Sequence, residues 1–398
     1  MQNIEINRKN KKENMNDPYE ALRRKLNKFF LKVPKTKKFL HLLEMIYTPE
    51  QAELFSHFPI PYVPERDLPG LAKKLNKSFD DVENICIECS NRGTLFYSQD
   101  RNGKTLYSLP PFIPGLYEFY TMDKNDPPER KKEVLKVLEE YFFETFVPEN
   151  YDSSTYPFFR VLPNNDPIEK IIEINKQIPT EETKILPFEV AKSYIRTATD
   201  IAVAECACRI HAKQQDGKPR CEKPLEVCLV FNRMARYWAD RGVGRLISHE
   251  EADEVLRIAA KAGLVHCTTN NQSMDGDAIG MICNCCSCCC FILQGLIKFR
   301  GKLGLAKSNF QPKIDQDKCK MCLNCVKMCP TEALYRHYPH SYDLSDDYIT
   351  IKDNECLGCG VCATTCSHDA IIMEKIADVI PERNISNCCF SYELNKVH

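Results

Sequence analysis

The chain has 398 residues, with 54 basic and 55 acidic side chains and a formal net charge of −1. That balance excludes polyanion binding driven by bulk charge, and no run of 18 or more apolar residues offers a membrane span. Length predicts two or three domains, and 23 cysteines behind a polar, charged N-terminus with no secretory signal predict metal binding in a reducing cytoplasm, not a disulfide framework.

The expected class is mainly α with small β elements. Residues 1–38 form a basic leader, from Arg8 to Lys38. Leu22, Leu26, Phe29, Phe30 and Val33 recur at near-helical spacing, so its second half predicts an amphipathic helix. The basic face is either solvated or docks onto an acidic partner. Residues 39–118 predict helices followed by a hairpin. Leu68, Leu71, Ala72 and Leu75 mark one helix. Ser78-x-x-Asp81 is a capping box for the next, whose apolar stripe is Val82, Ile85, Cys86 and Cys89. Thr94–Tyr97 and Thr105–Tyr107 flank Asn102-Gly103, a hairpin signal. This order resembles a winged helix-turn-helix, which implies DNA binding. Asp80, Asp81, Glu83 and Glu88 lie off the apolar stripe, where phosphates would sit, and charge repulsion opposes that contact. The module is therefore expected to contact protein and to bind no specific nucleic acid. Cys86 and Cys89 have redox-pair spacing, but on an apolar stripe free cysteine acts as a small hydrophobe.

Residues 119–300 predict an α-helical, cysteine-rich domain. Pro127-Pro128 opens a helix with Val134, Leu135, Leu138, Tyr141 and Phe142 inward. Residues 147–186, rich in Pro and Asn, predict a long surface connection. Pro187 starts a helix, with Val190, Ala191, Tyr194, Ile195, Ala198 and Ile201 buried, that delivers the chain to Cys206. Cys206, Cys208, Cys221 and Cys228 form one candidate thiolate set. Cys283, Cys285, Cys286 and Cys289, from a run that continues to Cys290, form another. Between them Ser248-x-x-Glu251 caps a helix ended by Gly263, and His266-Cys267 follows. Thiols at this density either bind a soft metal or are buried as apolar groups; further [4Fe–4S] cluster(s) are preferred, with structural zinc and metal-free packing as the alternatives. His266 is expected to be a hydrogen-bonded core histidine. Arg209, beside a ligand, would stabilise a reduced and more negative cluster.

Residues 301–376 carry the most specific motif. Cys319-x2-Cys322-x2-Cys325-x3-Cys329-Pro330 is repeated as Cys356-x2-Cys359-x2-Cys362-x3-Cys366. Two short steps wrap the backbone round three corners of an iron–sulfur cubane, and a more distant cysteine closes the fourth. About residues 312–376 resemble the bacterial-type two-cluster ferredoxin domain. The resemblance implies two [4Fe–4S] clusters with crossed ligands: Cys319, Cys322, Cys325 and Cys366 on one, Cys356, Cys359, Cys362 and Cys329 on the other. Ser367 stands where the family has proline, which leaves the ligands intact. The longer insertion Thr331–Asn354, with Tyr335, Tyr338, Tyr342 and Tyr348, predicts a surface hairpin or docking loop. Residues 377–398 read as a tail.

The Cys-x-Cys-Arg segment, the Gly-Leu-Val-His segment at 263–266 and the Ile-Cys-Asn-Cys-Cys run at 282–286 together resemble large ferredoxin-type proteins of anaerobic microbes, over roughly residues 40–376. That resemblance implies redox work. The sequence has no Gly-rich dinucleotide fingerprint, phosphate loop or Cys-x3-Cys-x2-Cys motif. The expected function is electron transfer between a partner oxidoreductase and the two C-terminal clusters, with a further metal or cluster site in the middle domain. A reductase with a catalytic middle-domain cluster and a redox-sensing regulator are the alternatives.

Overall fold

The computed structural model describes residues 17–60, 63–99, 102–151, 153–169, 185–272, 280–299, 304–339 and 347–396. It divides the chain into two units. One takes the chain up to Asn150 together with Ile210–Lys218; the other takes Tyr151–Arg209 and everything from Pro219 onward.

In the first unit the helix Pro18–Leu26 begins where Asp17 accepts from the Tyr19 N–H, with proline in its first turn. It ends at Leu26, short of Phe29 and Phe30, while Leu22, Leu26 and Val33 are buried. The expected basic face is not wholly solvated: Arg23 turns inward onto Glu20 at 2.9 Å and the Val33 carbonyl at 2.9 Å. Arg8, Lys9, Lys11 and Lys12 lie outside the described residues. Helices Lys37–Ile46 and Pro128–Tyr141 bury an aromatic core, with Phe39 and Tyr141 at 4.6 Å and Phe112 and Phe146 at 5.1 Å between ring centroids. Strands β1 (Val63–Pro64), β2 (Phe96–Gln99) and β3 (Thr105–Ser108) form an antiparallel sheet in the order β1-β3-β2. Helices Leu68–Lys74 and Phe79–Asn91 lie between β1 and β2 in sequence. Ser78 caps the second, accepting from the Asp81 N–H at 3.1 Å. Its Cys86 and Cys89 are fully buried.

The second unit departs from the expected helical domain. It is built on a seven-stranded sheet of β4 (Phe159–Leu162), β5 (Ile201–Glu205), β6 (Glu226–Phe231), β7 (Gly244–Ile247), β8 (Val265–Thr269), β9 (Met281–Cys285) and β10 (Leu305–Ala306), in the order β10-β4-β8-β9-β6-β5-β7. Only the β10–β4 pair is parallel. Burial on both faces hid the strands. All four residues of β4 and the first four of β5 are buried, so no apolar alternation betrays them. Thus part of 147–186 is interior strand, not surface connection; residues 170–184 of it lie outside the described residues. Pro187 opens a 3₁₀ turn, a helix runs only over Ala191–Thr197, and β5 delivers the chain to Cys206.

The helix His249–Lys261 matches expectation. Ser248 accepts from the Glu251 N–H at 3.2 Å, and Ala252, Val255, Leu256 and Ala259 are buried. Gly263, at φ +72°, turns the chain into β8. A side chain there would strike Met328.

The C-terminal segment follows as two two-stranded antiparallel sheets. Strand β11 (Phe310–Ile314) pairs with β14 (Ile371–Lys375), and β12 (Leu334–His337) with β13 (Tyr348–Ile351). The β12–β13 pair lies within the insertion expected as a hairpin; Tyr338 is exposed, and Tyr342 lies outside the described residues. This segment is fixed to the large sheet. Asn164 donates from its backbone N–H to the Cys359 carbonyl at 2.9 Å and from its amide to Thr364 Oγ1 at 3.0 Å. Buried Lys375 pairs with buried Glu189 at 3.1 Å, and Asn309 donates to the same carboxylate at 2.7 Å. The expected tail contains a helix, Ile385–Leu394, whose Cys388 and Tyr392 are buried; the Tyr392 carbonyl accepts from Ser154 Oγ at 2.8 Å.

Candidate metal centres

The repeated cysteine runs adopt the same backbone twice. Met321 and Leu323 flank Cys322 at φ 50° and 61°; Gly358 and Gly360 flank Cys359 at φ 68° and 76°. Glu332 and Asp369, each three residues after the last cysteine of its run, are also left-handed, at φ 56° and 49°. Alternating left-handed residues curl each run into a loop. The short helices Asn324–Met328 and Val361–Thr364 then carry Cys325 and Cys362. N–H donors point at the sulfurs: Ala333 N–H to Cys329 Sγ at 3.2 Å and Gly358 N–H to Cys356 Sγ at 3.4 Å. Such donors stabilise thiolate.

Cys319, Cys322, Cys325 and Cys366 line one cavity, walled by Ile314, Ile349 and Ile371. The Cys325 thiol is pushed up to about 11 by burial and then by Cys319, Cys322 and Cys366. In the other half Cys356, Cys359 and Cys362 are raised first by burial, and each also feels Cys329; Cys359 reaches about 12. The last cysteine of each run therefore keeps company with the first three of the other. Leu334, Ile349 and Ile371 form the apolar wall round Cys325 and Cys362, while Cys322 is exposed.

The middle cysteines are grouped differently from the two expected sets. Cys206 ends the β5 connection, Cys208 and Arg209 begin the helix Ala207–Asp216, and Cys228 lies on β6. Strand alternation on β9 sends Cys283 and Cys285 to one face and Asn284 to the other. Cys267 on β8 sits opposite Cys283. Hydrogen-bonded thiols run from Cys206 to Cys208, Cys290 and Cys285, and on from Cys285 to Cys267 and to Cys283 and Cys228. Cys267 also raises the Cys359 thiol, which puts this row within electrostatic reach of the ferredoxin-like segment.

Cys221, Cys286, Cys288 and Cys289 stand apart from that row, with all four sulfurs within 4.8 Å of one another. Cys221 and Cys289 are 3.7 Å apart, as are Cys288 and Cys289. The turn after β9, closed by Cys290 N–H to the Cys286 carbonyl at 3.0 Å, gathers three of them; no sequence signal selected Cys288. Buried Arg209 donates to the Asn284 carbonyl at 3.2 Å, the Pro224 carbonyl at 3.0 Å and Cys286 Sγ at 3.7 Å. Hydrogen bonds from Cys288 and Cys289, with the Arg209 charge, pull the Cys286 thiol down to about 2. His266 is a core histidine, as expected. Its Nδ1 lies 2.5 Å from Asn284 Oδ1, and desolvation pushes its pKa down to about 4, so the ring is neutral with Nδ1 donating.

Two curled cysteine runs with converging thiols and N–H···S donors define an iron–sulfur protein. The 4Fe-4S binding domain family matches residues 312–335. Pyruvate synthase subunit PorD of Methanothermobacter marburgensis is 36% identical over 66 residues, covering 17% of this chain and 68% of that protein. The ferredoxin of Methanothermococcus thermolithotrophicus is 34% identical over 65 residues, 16% of this chain and 95% of its own length. An archaeal-type glutamate synthase of Dehalococcoides mccartyi is 31% identical over 60 residues, 15% of this chain and 11% of that protein. Through this segment the chain belongs to the 4Fe-4S ferredoxin family, and its chemistry is [4Fe–4S] electron transfer. No solved structure matches it.

Proposed function

We propose that the chain is an electron carrier with two C-terminal [4Fe–4S] clusters, one on Cys319, Cys322, Cys325 and Cys366 and one on Cys356, Cys359, Cys362 and Cys329, serving a partner oxidoreductase. The observation that carries this is the cavity lined by Cys319, Cys322 and Cys325 together with Cys366 of the other run. Cys322 is the exposed corner through which an electron enters or leaves. PorD is by name one subunit of a larger enzyme, which supports a protein partner. The middle domain adds a soft-metal site, and the thiol row passing Cys267 toward Cys359 supports a relay role for it. The β1-β3-β2 sheet, with two helices between β1 and β2, supports reading the N-terminal module as winged-helix-like, used for protein contact.

Anaerobic purification of the full chain tests this. Iron and acid-labile sulfide should each reach at least about eight per chain, as two cubanes require, and reduction should give the broadened EPR of two neighbouring paramagnets. Counts that settle near four would sink the two-cluster assignment.

A further inference from the structure

We infer that Cys221, Cys286, Cys288 and Cys289 hold one zinc ion in a closed tetrahedral site, separate from the iron–sulfur clusters. This deepens the proposal that the middle domain binds metal and is independent of the C-terminal ligand assignment. The warrant is spacing. Zinc–thiolate bonds of about 2.3 Å put the sulfurs of a tetrahedron about 3.8 Å apart. Cys221 to Cys289 and Cys288 to Cys289 are both 3.7 Å, and all four sulfurs lie within 4.8 Å of one another. A cubane places each thiolate outside its own iron, so its ligand sulfurs stand much farther apart than those round a single ion. Among the described residues no other set of three or more His, Cys, Asp or Glu donors closes so tightly. The C-terminal cysteines line a cavity instead. The spacing of Cys221, Cys286, Cys288 and Cys289 is thus that of ligands round a single ion.

Charge and connectivity agree. Four thiolates round a divalent cation leave two negative charges, and buried Arg209, 3.7 Å from Cys286 Sγ, offsets one of them. Four protein ligands leave no open position, which marks a structural and not a hydrolytic zinc. Cys221 comes from the connection before β6 and the other three from the turn after β9. The ion would tie these two distant segments together beside Arg209.

The test uses the full chain purified without oxygen, with zinc, iron and sulfide counted in the wild type and in Cys221→Ser, Cys288→Ser and Cys267→Ser. Wild type should hold about one zinc. Cys221→Ser and Cys288→Ser should lose zinc at least tenfold with iron and sulfide unchanged, and Cys267→Ser should keep it. Cobalt exchanged into the wild type should give the visible bands of a tetrahedral four-thiolate ion, a readout that survives if a serine variant proves insoluble. Zinc absent from the wild type overturns the proposal. So does iron, with or without sulfide, as the metal lost from Cys221→Ser and Cys288→Ser. A low iron count with zinc intact overturns the cluster assignment alone.

Discussion

Gly358 and Met321 occupy the same place in the two cysteine runs and both are left-handed, yet only one is glycine. The difference is the neighbour: a Cβ on Gly358 would collide with the Phe310 carbonyl and Ser308 Oγ, where backbone cannot retreat. Gly358→Ala should therefore disrupt the loop. The left-handed conformation alone costs the new side chain about 1 kcal/mol, and the collision adds to it. Loss of iron from the second cluster and a lower melting temperature are the expected readouts. The ligand assignment makes a sharper demand. Cys366→Ser should remove the cluster held by Cys319, Cys322 and Cys325, lowering iron by about four per chain, and leave the other cluster's EPR signal in place. If the signal lost is instead that of Cys356, Cys359 and Cys362, the ligands are not crossed. Titration supplies a third outcome. Burial raises Cys325 to about 11 and Cys359 to about 12, so these thiols are protonated at neutral pH before metal arrives. Loading must release about one proton from each, and affinity must fall as pH falls. Calorimetry in buffers of different ionisation enthalpy counts those protons.

At the scale of elements, the acidic helix Phe79–Asn91 bears on partner choice. Asp80, Asp81 and Glu88 are exposed along it, and its only cysteines are buried. Phosphate contact is opposed, so mobility shifts with duplex DNA should vanish at moderate salt and with competitor DNA; a shift that survives both would reverse this view. The buried Glu189–Lys375 pair ties β14 to the turn before the helix Ala191–Thr197. Glu189→Ala removes the buried partner of Lys375 but leaves Asp378 at 2.7 Å, so it should cost less than the about 3–5 kcal/mol of a fully unpaired buried charge. Urea melts of the apo chain would show it. Burial works against the Lys375 charge, but Asp378 and Glu189 outweigh it and raise its pKa above 10.5. Its share of stability is thus complete below the ordinary lysine value and is lost as pH rises through the raised one. The helices were legible where one face met water: the stripe Ala252, Val255, Leu256 and Ala259 and the caps Ser78 and Ser248 all stand as expected. The strands β4 and β5 were not, because side chains buried on both faces carry no period. The thiol groups were half legible. Spacing announces the ferredoxin-like runs, whereas the middle cysteines are sorted by strand alternation and a turn that spacing does not encode.

At the scale of the whole molecule, the cysteines of both ferredoxin-like runs and of the middle domain lie in the second unit, and the bonds from Asn164, Glu189 and Asn309 hold the ferredoxin-like segment against its sheet. No helix among the described residues is long and apolar enough to cross a membrane. The near-neutral net charge leaves partner recognition to local surfaces.

Neither small sheet belongs to one cysteine run. β11 leads into the first run and pairs with β14, which leaves the second; β12 leaves the first and pairs with β13, which leads into the second. The runs also match at one fixed offset, Cys319 to Cys356 through Cys329 to Cys366. Such a segment has the geometry of a dimer fused into one chain. Either half made alone would lack the strands that its own strands pair with here. The offset of the runs and the crossed strand pairing thus mark the same division of the segment into two interlocked halves.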